Sequence, residues 1–289
     1  MKVCLEKILV FTLFVLLVVI SAMLYGKCRR GAPRPPAKSG GNECETVYTR
    51  VLGKKGPKPV VVFLSGLGND NIWWNWDEGP EEIVNEAKWP RNSGIQKPIA
   101  EHTATMSFDM PGVGSSKIAS VDEVPASFED VAALVKCLLV REALPPPYVL
   151  VGHSIGGAIA LVFQKIYPRD VKGVILIDSP SAATLKSIGE PEFYTKRGQL
   201  KYDITRRYLD NYSRSRAQVP FEQARALPVV AHVNRQEVDG ACSDKDAAHV
   251  AFAVSAYPRV VQYVNASHWI HVTTPAPIID SILEMVETN

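Results

Sequence analysis

Ser154 stands in Gly152-His153-Ser154-Ile155-Gly156, the G-x-S-x-G pattern of a nucleophile elbow, in which serine occupies a sharp strand-to-helix turn. The glycines have a physical reason: a Cβ at either position would clash with neighbouring backbone in so tight a turn. A β-branched run, Tyr148-Val-Leu-Val151, precedes the motif, and the stretch Ala158–Tyr167 with helical patterning follows it. A serine hydroxyl is a weak nucleophile near neutral pH and needs a histidine within hydrogen-bond reach to take its proton. The chain has six histidines, and two of them, His268 and His271, follow the last strand-like run, Arg259–Val264. Loops at the C-terminal ends of parallel strands are where such sheets place their sites, so His268, nearer the strand end, is the preferred base and His271 the alternative.

The elements that would position these residues alternate in type. Val60–Leu64, Thr105–Phe108, Tyr148–Val151, Val171–Ile177, Leu227–Val233 and Arg259–Val264 read as strands. Phe128–Val140, Ala158–Tyr167 and Ala276–Val286 read as helices between or after them. Strands separated by helices imply a mostly parallel central sheet with right-handed crossovers, flanked by helices. About 48 residues between Asp178 and Leu227, centred on 180–226, are enough for a small helical cap.

Ser65-Gly-Leu-Gly68, Asp109-Met-Pro-Gly-Val-Gly-Ser115, Gly152-His-Ser-Ile-Gly-Gly157, Gly173-Val-Ile-Leu-Ile-Asp178 and Ser267-His-Trp-Ile-His271 resemble, in order and spacing, the α/β-hydrolase fold superfamily of esterases and lipases. The resemblance covers residues 46–289. It implies Ser154 as nucleophile, His268 as base, and an oxyanion hole made by the backbone N–H groups of Leu67 and Ile155. Ser65 departs from the pattern, since many relatives carry histidine before the glycine. The Asp109 motif is expected to shape a turn rather than do chemistry. Relatives usually place the acid after the penultimate strand, which ranks Asp239 first. Asp178 comes second, because some relatives carry the acid after the strand following the elbow, and Glu237 third. Aspartate at the elbow would have pointed to an epoxide hydrolase or dehalogenase; serine points to hydrolysis of a carboxylic ester through an acyl-enzyme. A ligand-binding protein on the same scaffold, with slow or no turnover, is the alternative, since fold does not fix function.

The N-terminus has a different composition. Ile8–Tyr25 is eighteen residues without a charge, about 27 Å as a helix and close to the ~30 Å hydrocarbon core. It is expected to be one transmembrane helix; a cleaved signal peptide is the competing reading, and the length of the run favours the anchor. Residues 31–41, GAPRPPAKSGG, form a Pro/Gly linker, so residues 1–44 read as anchor and linker and 45–289 as the hydrolase domain. Residues 1–38 hold seven basic side chains against one acid; the remainder carries 25 basic against 29 acidic residues. That mildly acidic body argues against nucleic acid as a partner. The basic flank following the apolar run favours a cytoplasmic body. Sequons at Asn211 and Asn265 would be usable only if the body were lumenal.

Cys137 reads as a buried small hydrophobe, and Cys44 and Cys242 could pair only in an oxidising compartment. No pair has CxxC spacing, so no zinc site is expected, and no metal, nucleotide or redox cofactor is implied. The expected partners are a small-molecule ester and the membrane. Trp73, Trp74 and Trp76 have three readings: an apolar acyl pocket, a membrane-facing rim, or anchors of a long loop. Phe193, Tyr194, Tyr202, Tyr208 and Tyr212 are available to line a cap.

Overall fold

The computed structural model describes residues 44–79, 94–179, 199–215, 229–234, 237–238, 241–242, 259–264 and 268–288. The anchor run at 8–25 lies outside them. Among the described residues, no helix is long and apolar enough to cross a membrane.

A seven-stranded sheet organises the domain. Its strands are β1 (Thr49–Leu52), β2 (Val60–Leu64), β3 (Thr105–Phe108), β4 (Tyr148–His153), β5 (Val171–Ile177), β6 (Val229–Asn234) and β9 (Arg259–Val264), in the spatial order β1-β3-β2-β4-β5-β6-β9. Only β1 runs antiparallel, against β3; every other pairing is parallel. Two short strands, β7 (Glu237–Val238) and β8 (Ala241–Cys242), form a separate hairpin. The helices are α1 (Gln96–Ala100), α2 (Phe128–Arg141), α3 (Ile155–Ile166), α4 (Gln199–Ser215), α5 (Ile270–Thr273) and α6 (Ala276–Glu287).

The apolar runs of the sequence are continuous rather than alternating because the central strands are covered on both faces. Val60, Val62 and Leu64 of β2 join Leu150, Val174 and Leu176 in one cluster against α2 and α3. The intervening Val61 and Phe63 join Val149, Val151, Ile175 and Ile177 on the other face, against α1 and α6. This two-residue period is that of a strand. At ~25 cal/mol per Å² of apolar surface removed from water, each such valine or leucine contributes about 1.5–3 kcal/mol relative to exposure. The start and stop signals are equally local. Ser127 caps α2 by accepting from the Asp130 N–H, and Glu129, Asp130 and the C-terminal Arg141 complement the helix dipole.

Two cysteine readings are corrected: Cys137 is not a mere buried hydrophobe, and the partner of Cys44 is not Cys242. Cys137, on α2, is disulfide-bonded to Cys44, 93 residues earlier, with Cα atoms 6.2 Å apart. Arg141, one turn further along α2, donates to the carbonyls of Cys44 and Val47 and holds the same segment. Cys137 therefore acts as a covalent tie between the start of the domain and α2.

Part of the cap span is described. In α4, Tyr208 donates to the carbonyl of Pro111 at 2.8 Å, and Tyr212 stacks on Phe128 with ring centroids 4.5 Å apart. Both tyrosines are buried, so they pack the helix down rather than line a cavity. Phe193 and Tyr194 lie outside the described residues.

Candidate active site

The elbow follows from the local chain. β4 is buried along its whole length and ends at His153; Ser154 is next, at φ 51°, ψ −127°, and α3 begins at Ile155. A positive φ is rare for a residue with a side chain and marks strain that the surroundings must hold. They hold it by close approach. A Cβ on Gly156 would fall 2.0 Å from the Leu64 carbonyl oxygen, and one on Gly152 would fall 2.5 Å from that of Gly156. The Ser154 N–H is anchored on the Ile177 carbonyl at 2.9 Å. Serine is a favoured N-cap, yet the Ser154 side chain makes no capping hydrogen bond to α3. Its hydroxyl is left for other work.

His268 lies between β9 and α5, and its Nδ1 is 2.5 Å from Oδ2 of Asp178. Asp178 follows β5 directly, at φ 43°, with its N–H donated to the His232 carbonyl at 2.8 Å. The carboxylate is 7% exposed and the imidazole 45%, so a buried acid grips one edge of a histidine that solvent and ligands can reach. An acceptor-only carboxylate at Nδ1 requires the proton on Nδ1, which leaves Nε2 as the basic nitrogen. Asp239, ranked first from the sequence, lies outside the described residues, and the position it would need on Nδ1 is filled by Asp178. Glu237 sits in β7, part of the small hairpin. The signal that pointed to Asp178, a carboxylate at the end of the strand after the elbow, was present in the sequence but ranked second.

His271 is separated from His268 by its surroundings. Its ring is 2% exposed, 4.6 Å from the Trp74 ring, and neither nitrogen has a hydrogen-bond partner among the described residues. Burial, with a smaller contribution from the nearby His268, pushes its pKa down to about 3. It is a neutral packing ring, unsuited to taking a proton near pH 7.

The Ser65–Gly68 turn leaves the end of β2 beside the elbow. A Cβ on Gly66 would sit 3.3 Å from that of Ser154, so the turn carrying Leu67 passes close to the serine, and Ile155 opens α3 directly after it. The N–H groups of a helix's first turn have no partner within the helix, and the helix dipole there favours negative charge. Ser65 accepts from the Trp74 indole N–H at 2.7 Å, which fixes the turn by a side-chain bond. Trp74 and Trp76 are buried, as the loop-anchor reading expects; Trp73 stacks on Trp76 at 5.2 Å and, at 4.0 Å, on Trp269, the residue after His268. Asp109 is a staple: Oδ1 accepts from the Asn71 N–H at 2.7 Å and Oδ2 from the Ser115 N–H at 2.8 Å. Among the described residues, no group of three or more potential ligands could hold a metal ion.

Comparison with known proteins agrees with this architecture. Residues 59–238 match the family model of the α/β hydrolase fold, and the chain belongs to that family. It is 33% identical over 103 residues to a pimeloyl-[acyl-carrier protein] methyl ester esterase of Pseudoalteromonas atlantica, covering 34% of this chain and 37% of that one. It is 24% identical over 127 residues to a human monoacylglycerol lipase, covering 43% of this chain and 32% of that one. Among solved structures, a hydrolase from Oleispira antarctica superposes with a TM-score of 0.61 at 13% identity, over 86% of this chain and 97% of that one. The chain spans less than half the length of the curated relatives it matches.

Proposed function

We propose that the protein is a serine hydrolase that cleaves a carboxylic ester, with Ser154 as nucleophile, His268 as base and Asp178 as the acid. The single observation carrying this reading is the 2.5 Å contact between His268 Nδ1 and the buried Asp178 carboxylate, at the end of the strand beside the elbow. Asp178 thereby takes the role for which Asp239 was first expected. In the proposed reaction, Nε2 of His268 takes the Ser154 hydroxyl proton as Oγ attacks the ester carbonyl. The Leu67 and Ile155 N–H groups donate to the oxyanion, Asp178 stabilises the imidazolium, and His268 returns its proton to the leaving alcohol. Water, activated by the same histidine, then releases the acid from the acyl-enzyme. The esterase and lipase relatives support an ester as substrate, and the apolar tryptophan stack beside His268 supports a lipophilic one.

The test is fluorophosphonate labelling and hydrolysis of p-nitrophenyl butyrate by wild type and Ser154→Ala. Loss of both in the folded variant is expected, a fall of several powers of ten in rate. Undiminished hydrolysis would overturn the triad. A wild-type protein that takes no label and turns over no ester would favour the ligand-binding alternative.

Residues 8–25 are proposed to anchor the protein in a membrane, on their length and lack of charge, so the full chain should stay with membranes through a carbonate wash. For the side of the membrane, the Cys44–Cys137 disulfide supports an oxidising compartment, against the cytoplasmic expectation drawn from the flanking charges. Alkylation of both cysteines in freshly lysed, unreduced cells would restore the cytoplasmic reading. Asn211 is 2% exposed and donates to the Pro125 carbonyl at 2.9 Å, so a glycan there is incompatible with the folded domain on either side.

A further inference from the structure

His153, the residue before the nucleophile, has no part in the proposed chemistry, yet its ring meets two other chain segments that the chemistry uses, the His268 loop and the Ser65–Gly68 turn. It is 1% exposed at the end of β4. Its Nε2 lies 2.9 Å from the carbonyl oxygen of His268. Its ring centroid is 4.6 Å from that of His268, 4.5 Å from His271 and 4.8 Å from Trp269. On the other edge, a Cβ on Gly66 would come within 3.0 Å of Nδ1, so the Ser65–Gly68 turn closes directly onto the ring.

A carbonyl oxygen only accepts, so Nε2 must carry the proton and donate it. Burial, and next the neighbouring His271 and His268, hold the His153 pKa well below the ordinary value, which keeps the ring neutral with its one N–H committed to that bond. A neutral ring also places no like charge against the imidazolium that forms on His268 during turnover. The same residue is held through its side chain by Asp178, and α5 begins two residues later, so the backbone bond from His153 adds a second point of attachment.

We infer that His153 is a positioning residue: its Nε2–H bond to the His268 backbone sets the base against the elbow, while its ring sets the elbow against the oxyanion turn. The inference rests on the hydrolase reading above for its kinetic consequence but not for its structural one. Displacing a catalytic group by about 1 Å can cost on the order of 10²-fold in rate.

The test compares His153→Phe, which keeps a ring and loses the donor, with His153→Gln, which keeps a donor at similar reach. Full-length protein in detergent is used, with Ser154→Ala as the control for the hydrolase reading. For His153→Phe, kcat for p-nitrophenyl butyrate and the rate of fluorophosphonate labelling should fall about ten- to hundredfold, with KM changed less than about threefold. His153→Gln should recover most of that loss. The low-field proton resonance of the His268 Nδ1–H, bonded to Asp178, should persist in His153→Gln and broaden or vanish in His153→Phe. A His153→Phe variant with wild-type kcat, or equal losses in both variants tracking a lowered melting temperature, would overturn the inference. If Ser154→Ala is as active as wild type, the hydrolase reading fails; the resonance then decides on His153 independently.

Discussion

Acidification should destabilise this domain at a pH where its carboxylates are still largely ionised, because three histidines are sealed in its interior. His153, His232 and His271 are each at most 2% exposed. Burial holds the His232 pKa at about 4 and, with help from His268, that of His271 at about 3; His153 is displaced in the same direction. In the unfolded chain each binds a proton near pH 6.5. The unfolded state therefore holds more protons below pH 6.5, and stability present above that pH is lost as pH falls towards 4 and then 3. Between pH 8 and pH 5, His232 and His271 each remove about 2 kcal/mol, about 4 kcal/mol together, with His153 adding in the same sense. Against a typical stability of ~5–15 kcal/mol, that is a large share. Glu78, held down to about 2 chiefly by its bond to Arg50 and then by Lys97, acts in the same direction but only below its ordinary 4.5. The assay is urea unfolding of the full chain in detergent at pH 8, 7, 6 and 5, followed by tryptophan fluorescence at constant ionic strength. His271→Phe sharpens it, because that ring makes no hydrogen bond among the described residues and the variant should lower the slope by up to about 1.4 kcal/mol per pH unit. Unfolding free energies equal within about 1 kcal/mol at pH 8 and 5 would refute the reasoning.

Three further outcomes are expected. Asp178→Asn should lower kcat by ~10²–10⁴ with little change in melting temperature, while Asp239→Asn stays within about threefold of wild type; the reverse pattern in an ester assay would return the acid to Asp239. Gly156→Ala should lower the unfolding free energy by an amount at the upper end of the roughly 1–3 kcal/mol typical of overpacking, since its Cβ would overlap the Leu64 carbonyl; a wild-type urea midpoint would contradict that close approach. Cys137→Ser should cost ~2–4 kcal/mol by releasing the 93-residue loop, and dithiothreitol should have the same effect on wild type and none on the variant.

The sequence by itself determined the parts of this protein that are set over a few residues. A β-branched run followed by Gly-His-Ser-Ile-Gly identifies the elbow because the strained serine needs small neighbours on both sides, and that need is written within five positions. The continuous apolar strands and the parallel crossovers were legible for the same reason: hydrophobic period is a local property of the chain. His268 was preferred to His271 from its distance to the strand end alone; that the His271 ring is buried is a fact of the fold. What only the tertiary structure decided are meetings between residues far apart in the chain. Asp178 and His268 are 90 positions apart, and a loop carboxylate such as Asp239 carries an equally good local signal, so pattern alone could not show that Asp178 meets His268. Cys137 looks like any small apolar residue of an amphipathic helix until Cys44 arrives beside it, 93 positions away. His153 reads as a variable letter in the motif, since its bond to the His268 backbone spans 115 residues. Tyr208 and Tyr212 could equally have lined a cavity; packing against Pro111 and Phe128 settled their place. In each case the deciding quantity is a distance across the fold, which depends on how the sheet brings strand ends together and leaves no trace in local composition.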